Sequence, residues 1–126
     1  MKIISWNCRG LENPSTSRAF LRLAHLENPN VVFLMETRLK TIEVEGFILK
    51  CNFNNGFGED CNVQGKDRAR GLALMWRDTI DISIISYSLN HVGGNFVDEF
   101  SGGIVAFVGF YGHLEDHKKK DFLGSC

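Results

Sequence analysis

The sequence predicts an α+β fold, because its apolar segments begin as a strand–helix–strand unit and continue as strands alone. An apolar strand over 2–7 precedes a helical pattern, and Val31–Met35 forms a second apolar strand. A helix joining two such strands places them parallel in one sheet. The later strand patterns have no long helix between them, which is typical of antiparallel neighbours. A sheet with an outer helix layer would form half of a two-sheet sandwich.

Length and composition describe a small protein with enough apolar residues for a core. Its 126 residues correspond to one domain or part of one, and 44% are hydrophobic, with ten Phe and two Trp. The net charge of −1 lacks the basic excess that is typical of nucleic-acid binders. We find neither a signal peptide nor an apolar span long enough for a membrane. We therefore expect an intracellular protein with four reduced cysteines; the alternative is a disulfide, for which Cys51 and Cys61 are the pair to consider.

The first half of the chain is predicted as a crossover unit. We expect a buried strand over 2–7 and a helix that begins at Pro14 or Ser15, since proline suits the first turn and serine caps it. The helix should end at 28–30, because the residue before a proline is excluded from the helical region. The continuous apolar run Val31–Met35 predicts a strand covered on both faces.

The remaining segments are assigned from periodicity and turn residues. We predict a short helix over 37–44, a strand over 47–53, a turn over 54–58 and a surface loop over 59–70. Further strands are expected over 71–76, 79–88, 91–96 and 103–111, with Ile80, Ile82, Ile84 and Ile85 buried and Asp78 in a turn.

Two polar side chains follow the paired strands at the same sheet edge. Asn7 ends the first strand and Glu36 ends the second, so both should emerge together. An amide can hold a phosphate oxygen or a metal-bound water, and a carboxylate can bind a hard cation. The alternatives are ordinary ones: Asn7 as a turn residue before Gly10, and Glu36 as a solvated carboxylate.

The stretches "IISWNCRGL", "PNVVFLMETRL", "RGLALMW" and "VGFYGH" together resemble the endonuclease/exonuclease/phosphatase superfamily. The likeness is greatest to the endonuclease domain of plant non-LTR (LINE-type) retrotransposons. It implies a four-layered α/β sandwich of two mixed sheets with outer helices. It also implies Mg²⁺-dependent hydrolysis of phosphodiester bonds, with Mn²⁺ as an alternative cation, and DNA as the partner that is nicked. A DNA target in turn suggests a nuclear location.

The resemblance assigns roles to three residues. Asn7 matches the asparagine that helps to hold the phosphate and the metal with its water, and Glu36 matches the metal-binding glutamate. Tyr111 matches the tyrosine that contacts the scissile phosphate, where a hydroxyl can donate to an oxygen as charge grows. His113 is usual in the plant transposon set, but we assign it no catalytic role.

The sequence also departs from the family pattern. The resemblance covers residues 1–126 as the N-terminal portion of the domain, with the C-terminal half absent. The family's general-base histidine with its aspartate, and its Asp-x-Asn element, are not found, and His91, His113 and His117 do not stand in a Ser/Gly-Asp-His context. "RARGL" stands where relatives often carry two glycines.

The leading hypothesis is therefore a Mg²⁺-dependent endonuclease-type domain of retrotransposon origin, truncated and inactive alone. One alternative is a non-catalytic nucleic-acid-binding fragment that uses Arg68, Arg70 and the lysines at 118–120. Another is a non-functional relic, whose half sandwich would leave an apolar sheet face and an open edge that favour aggregation.

Overall fold

A computed structural model describes residues 2–65, 67–98 and 100–110, and it confirms the α+β class. Two helices cover one face of a four-stranded sheet, and a three-stranded sheet packs on its other face. The elements in chain order are β1 Ile3–Asn7, α1 Pro14–Glu27, β2 Val31–Met35, α2 Thr41–Lys50, β3 Asn55–Glu59, β4 Asn62–Gln64, β5 Asp67–Ala69, β6 Leu72–Trp76, β7 Ile82–Tyr87, β8 His91–Val97 and β9 Ile104–Phe110. These helix, sheet and sheet layers form part of a four-layered sandwich.

The first sheet has the strand order β1-β2-β6-β3. β1 and β2 are parallel, as predicted from the crossover, and Asn7 lies opposite Met35. β6 runs antiparallel to both β2 and β3. Because β1 is at the edge of this sheet, its residues are only half buried, which corrects the prediction of a buried strand.

Alternating side chains of the central strands fill two separate cores. Val32 and Leu34 of β2 face the helices, where they join Phe20 and Phe47. Val31 and Phe33 face the second sheet. Every residue of β2 is buried, which confirms the prediction from its uninterrupted apolar run.

Helix α1 begins at Pro14, but its cap is not Ser15. Asn13 is the capping residue, and its Oδ1 accepts a hydrogen bond from the Ser15 N–H at 2.9 Å. The helix ends at Glu27, where Asn28 adopts a left-handed conformation (φ 46°) immediately before Pro29. Both boundaries thus lie within one or two residues of the predicted ones.

Helix α2 lies further along the chain than predicted. It begins at Thr41 and ends at Lys50, so the predicted helix over 37–44 is displaced and the predicted strand over 47–53 is wrong. Val44, Phe47 and Ile48 are its buried residues. Their spacing of three and four residues is helical, and it outweighs the weak alternation on which the strand was predicted.

The predicted turn over 54–58 is in fact the edge strand β3. Its glycines provide space for α2: a Cβ at Gly58 would lie 2.8 Å from Val44 Cγ1, and one at Gly56 would meet the Ile48 side chain. Glycine is used here for close approach of a helix to a strand. Within the predicted surface loop over 59–70, β4 and β5 form a short hairpin.

The second sheet is a meander of the last three predicted strands, with strand order β7-β8-β9, whereas the strand predicted over 71–76 belongs to the first sheet as β6. Its first strand begins at Ile82 rather than at residue 79. Ile82 is buried, but Ile85 is 68% exposed, which corrects the prediction that it is buried. The pairing of β7 with β8 skips Ile85, since Ile84 lies opposite Gly94 and Ser86 opposite Gly93. A bulged residue of this kind no longer follows the inward–outward alternation.

The outer face of the second sheet carries an apolar row along β9. Ile104, Val108 and Phe110 are 73%, 44% and 48% exposed, and within the described residues β9 pairs only with β8. An apolar strand at an open edge favours association of chains. Neither of the described helices is long and apolar enough to cross a membrane.

We expect Val108→Lys to reduce self-association at high protein concentration. The added charge on β9 opposes pairing between edges, while the free energy of unfolding should change by only about 0.5 kcal/mol because the side chain is exposed. Light scattering and urea unfolding measure the two effects. Ser83→Lys, on a polar part of the same sheet, is the control; equal association of all three proteins would show that β9 is not the associating edge.

Candidate functional site

Three loops meet at the end of the first sheet where β1 and β2 terminate. The loop after β1 is hydrogen-bonded to the loop after β2: the Gly10 N–H donates to the Glu36 carbonyl at 2.9 Å, and the Leu11 N–H to the Thr37 carbonyl at 2.8 Å. The loop before β6 lies on the other side, where its Gly71 carbonyl accepts from the Thr37 N–H at 3.0 Å. Residues 36 and 37 are therefore fixed from both sides by backbone hydrogen bonds.

Thr37 and Gly71 form the support beneath this loop, and neither was predicted from the sequence as a site residue. Thr37 is fully buried, and its Oγ1 accepts a hydrogen bond from the Leu39 N–H at 3.3 Å. Gly71 (φ 98°) leaves no room for a Cβ, which would contact Thr37 Oγ1 and lie 3.1 Å from the Arg38 nitrogen. The signal available in the sequence is a glycine directly before a strand and a threonine directly after the candidate ligand.

The turn "RARGL" contains two successive left-handed residues. Arg70 has φ 68° and Gly71 has φ 98°. Glycine adopts such conformations without steric penalty, so both positions of this turn are ones that favour glycine. In this chain Arg70 accepts the strained conformation, its carbonyl receives the Arg38 N–H at 2.8 Å, and its guanidinium Nη1 donates to Asn90 Oδ1 at 2.6 Å.

Asn7 and Glu36 come out at the same sheet edge, as predicted from the crossover. Asn7 is the last residue of β1, and Glu36 directly follows its register partner Met35. Asn7 Oδ1 accepts from the Arg9 N–H at 3.2 Å, whereas its Nδ2 donates to no residue in the described part of the chain. Glu36 lies 3.7 Å from the Arg38 Nη2 and keeps 20% of its side chain exposed. Its left-handed backbone (φ 50°) is unusual for glutamate and is typical of functional loops.

An open depression of about 560 Å³ lies beside Asn7, between the end of β1 and the start of α1. It is lined by Trp6, Asn7, Cys8, Arg9, Ser15, Thr16 and Ala19. Asn7 faces this depression, whereas Glu36 is not among the residues that line it. The depression is thus open to solvent rather than enclosed.

The thiol next to Asn7 is not a nucleophile. Burial raises the pKa of Cys8 to about 12, and the negative charge of Glu36 contributes in the same direction. A thiol with this pKa carries almost no thiolate near neutral pH. Cys51 and Cys61 are also buried and free, and burial raises the pKa of each.

Two of the arginines near the site are already engaged. Arg68 Nη1 lies 2.8 Å from Glu43 Oε1, and this hydrogen bond raises the pKa of Arg68. The Lys40 backbone N–H and Arg68 together lower the pKa of Glu43. Arg70 is bound to Asn90. The ion pair with Glu43 reduces the charge that Arg68 can offer to a nucleic-acid backbone, whereas the neutral Asn90 amide leaves the charge of Arg70 intact.

The second sheet ends at the same side of the molecule. Asn90, the partner of Arg70, precedes β8, whose first residue His91 lies opposite Phe110. The His91 ring nitrogens are 2.6 Å from Ser88 Oγ and 3.2 Å from Ser86 Oγ. The predicted phosphate contact Tyr111, together with His113, His117 and the lysines at 118–120, lies outside the described residues, so Tyr111 stays a prediction.

The donors at this edge fit a hard divalent cation that keeps most of its water. Glu36 offers a carboxylate and Asn7 an amide oxygen whose second lone pair is free. Mg²⁺ is often held by only one or two carboxylates plus substrate oxygens. The described residues contain no group of three or more His, Cys, Asp or Glu side chains that would enclose a metal ion. A cation here would be bound from one side.

Solved structures share this fold. The endonuclease domain of TRAS1, a telomere-specific non-LTR retrotransposon, matches with a TM-score of 0.55 and 10% identity over 89% of this chain and 44% of its own. The humanized TDP2 of D. rerio gives 0.57 and 21% over 90% and 52%. The AP endonuclease LMAP of Leishmania major gives 0.54 and 19% over 87% and 39%. The chain therefore spans about half the length of these structures, and at these identities the likeness concerns the fold.

Sequence comparison identifies the family. No curated protein sequence matches significantly. The model of the Endonuclease/Exonuclease/phosphatase family matches residues 4–120, which include Asn7, Glu36 and the loop before β6. The chain belongs to the endonuclease/exonuclease/phosphatase family.

Proposed function

We propose that this chain is the metal- and phosphate-binding part of a Mg²⁺-dependent, endonuclease-type phosphodiester hydrolase that acts on DNA. Mn²⁺ is the alternative cation. The observation that carries the proposal is the placement of Asn7 and Glu36 at the ends of adjacent parallel strands, on loops fixed by backbone hydrogen bonds. The motif resemblance favours an origin in a plant LINE-type retrotransposon, and a DNA substrate would place the protein in the nucleus.

Each side chain has a distinct role in this proposal. Glu36 holds the cation, which when bound polarises the phosphoryl oxygens and stabilises the leaving oxygen. Asn7 uses one lone pair of its Oδ1 to fix the Arg9 turn, offers the other to the cation or its bound water, and donates from its Nδ2 to a phosphate oxygen. Tyr111 is proposed to donate a further hydrogen bond to the phosphate as negative charge develops.

The described residues do not provide a free general base. Both ring nitrogens of His91 lie within hydrogen-bond distance of serine hydroxyls, and His25 lies on the exposed face of α1. A positioned base contributes about 10²–10⁴-fold to hydrolysis. We therefore propose that the chain alone binds the cation and the phosphate but hydrolyses the bond very slowly.

The cation-binding part of the proposal is tested by titrating the purified chain with Mn²⁺, followed by electron paramagnetic resonance. We expect Glu36→Gln to weaken binding by at least about tenfold, since changes to groups that only hydrogen-bond a metal ligand already cost about ten- to a hundredfold. Glu45→Gln removes the same charge from an exposed position on α2 and serves as the control. Equal Mn²⁺ affinity of wild type and Glu36→Gln would contradict the proposed site.

The catalytic part is tested by nicking of supercoiled plasmid with Mg²⁺, with chelator and with Glu36→Gln, using protein in excess. We expect nicking by the wild-type chain to stay close to the chelator control, because the described residues provide no free general base. Rapid Mg²⁺-dependent nicking that is lost in Glu36→Gln would show a complete catalytic site, and our account of the base would be wrong.

A further inference from the structure

We propose that Arg38 couples cation binding to phosphate binding at this site. Its guanidinium balances the Glu36 carboxylate when no cation is bound and turns to a phosphate oxygen when a cation takes Glu36. The inference rests on the proposed function, and it adds a positioning and specificity residue to it. Three features of Arg38 support it: its place on the loop, its unsatisfied donors and its distance from Glu36.

The backbone of the loop after β2 places the side chains of Arg38 and Glu36 close to each other. Both residues adopt left-handed conformations, φ 55° and φ 50°, on either side of the buried Thr37. The Arg38 N–H is tied to the Arg70 carbonyl at 2.8 Å, and its own carbonyl accepts from Arg68 Nη1 at 3.1 Å. The main chain of Arg38 is therefore held, and only its side chain is able to change partners.

The Arg38 guanidinium has donors without acceptors. Its Nη2 lies 3.7 Å from Glu36 Oε1, which is close enough for an ion pair but too long for a hydrogen bond. Its Nε is buried and has no hydrogen-bond partner. Native proteins satisfy most buried donors, so an unpaired one at a candidate site points to a missing acceptor. The side chain as a whole remains 36% exposed, so an acceptor from solvent can reach the guanidinium, but it can reach the buried Nε only when the side chain turns.

A phosphate group is the acceptor that matches this geometry. The guanidinium has five N–H donors in a planar fork that fits two phosphate oxygens, whereas a single carboxylate oxygen at 3.7 Å uses none of them well. A cation bound to Glu36 would repel Arg38 and release it toward the phosphate. In the other direction, Arg38 beside Glu36 weakens cation binding until a phosphate is present.

Two substitutions distinguish the effect of the positive charge of Arg38 from the effect of its planar guanidinium. Arg38→Gln removes the positive charge beside Glu36, so Mn²⁺ should bind about two- to fivefold more tightly without DNA, the size expected for a partly exposed charge pair. Arg38→Lys retains the charge, so its Mn²⁺ affinity should stay within about twofold of wild type. Both variants lose the forked set of guanidinium N–H donors, so both should bind DNA more weakly. For Arg38→Gln we expect a loss of about tenfold in DNA affinity.

The experiment measures Mn²⁺ affinity by electron paramagnetic resonance. It then measures the affinity for a fluorescein-labelled DNA duplex by anisotropy with Mn²⁺ present, under conditions that give no cleavage product. Arg22→Gln, an exposed residue on α1, controls for the loss of one positive charge, and circular dichroism confirms that each variant is folded.

The outcomes distinguish this inference from the proposed function. Tighter Mn²⁺ binding with weaker DNA binding in Arg38→Gln, and only weaker DNA binding in Arg38→Lys, support the coupling. Unchanged or weaker Mn²⁺ binding in folded Arg38→Gln overturns it, and so does DNA binding that falls no further than in Arg22→Gln. If Glu36→Gln still reduces Mn²⁺ affinity in that case, the cation site stands without the coupling; if it does not, the proposed function itself fails.

Discussion

Replacing Gly71 by alanine should lower the free energy of unfolding by about 3 kcal/mol or more. The left-handed backbone at φ 98° costs an alanine about 1–2 kcal/mol. The new Cβ would also contact Thr37 Oγ1 and lie 3.1 Å from the Arg38 nitrogen, and overpacking of this kind adds about 1–3 kcal/mol. Urea unfolding followed by circular dichroism measures the difference from wild type.

Comparison with Gly102→Ala separates the cost of the steric contact at Gly71 from the cost of the left-handed backbone. Gly102 is also left-handed, with φ 73°, but apart from its neighbours in the chain no described residue has an atom within 4 Å of the position of its Cβ. Its substitution should therefore cost only the backbone term of about 1–2 kcal/mol. Equal losses for Gly71→Ala and Gly102→Ala would show that the loop before β6 does not press on Thr37. Any folded Gly71→Ala should also bind Mn²⁺ more weakly, because the loop that carries Glu36 is displaced.

The crossover and the edge where the site lies were predictable because they depend on short-range signals. Five consecutive apolar residues in Val31–Met35 can be buried on both faces only in a central strand, and Pro14 and Asn28 bound the intervening helix. Once the two strands are parallel, Asn7 and Glu36 must emerge at one edge. Asn7, Glu36 and the strands and helix that place them all lie within the first 36 residues of the chain.

The central part of the chain was not predictable in the same way, because its conformation is set by contacts between elements. Glycines such as Gly56 and Gly58 are common in turns, which favoured the prediction of a turn. In the structure their missing side chains make room for Ile48 and Val44 of α2. A single sequence does not show which helix will pack against a glycine. The same limit explains the strand predicted over 47–53, whose apolar residues fit two periods until the partner is known.

In the candidate site, too, some residues were predictable from short-range signals and others were not. Asn7 and Glu36 could be named from the ends of strands, whereas Thr37 and Arg38 acquire their roles from the loop before β6, more than 30 residues away. Backbone hydrogen bonds leave no trace in side-chain identity. Within the loop before β6, only Gly71 can be recognised from the sequence, because its backbone conformation and close contacts require a glycine.

Phe33→Ala should destabilise the protein by about 3–5 kcal/mol, the range for removal of a fully buried aromatic ring. Phe33 is 0% exposed and lies between the two sheets. Phe100→Ala is the matched control, since Phe100 is 99% exposed and its removal should change the free energy of unfolding by less than about 0.5 kcal/mol. A small loss for Phe33→Ala would mean that the sheets do not share a core.

The contact of Phe33 with β9 makes this prediction sharper. A Cβ at Gly109 would lie 2.9 Å from Phe33 Cε1, so Gly109→Ala should destabilise the wild type. In the Phe33→Ala background the ring is gone, and the same methyl group should be neutral or should fill part of the cavity. The two substitutions should therefore be non-additive by about 1–3 kcal/mol in a double-mutant cycle. Additive losses would place β9 away from β2. Coupling would instead show that β9 packs across β2, with Phe110 opposite His91, the residue that follows the Arg70 partner Asn90.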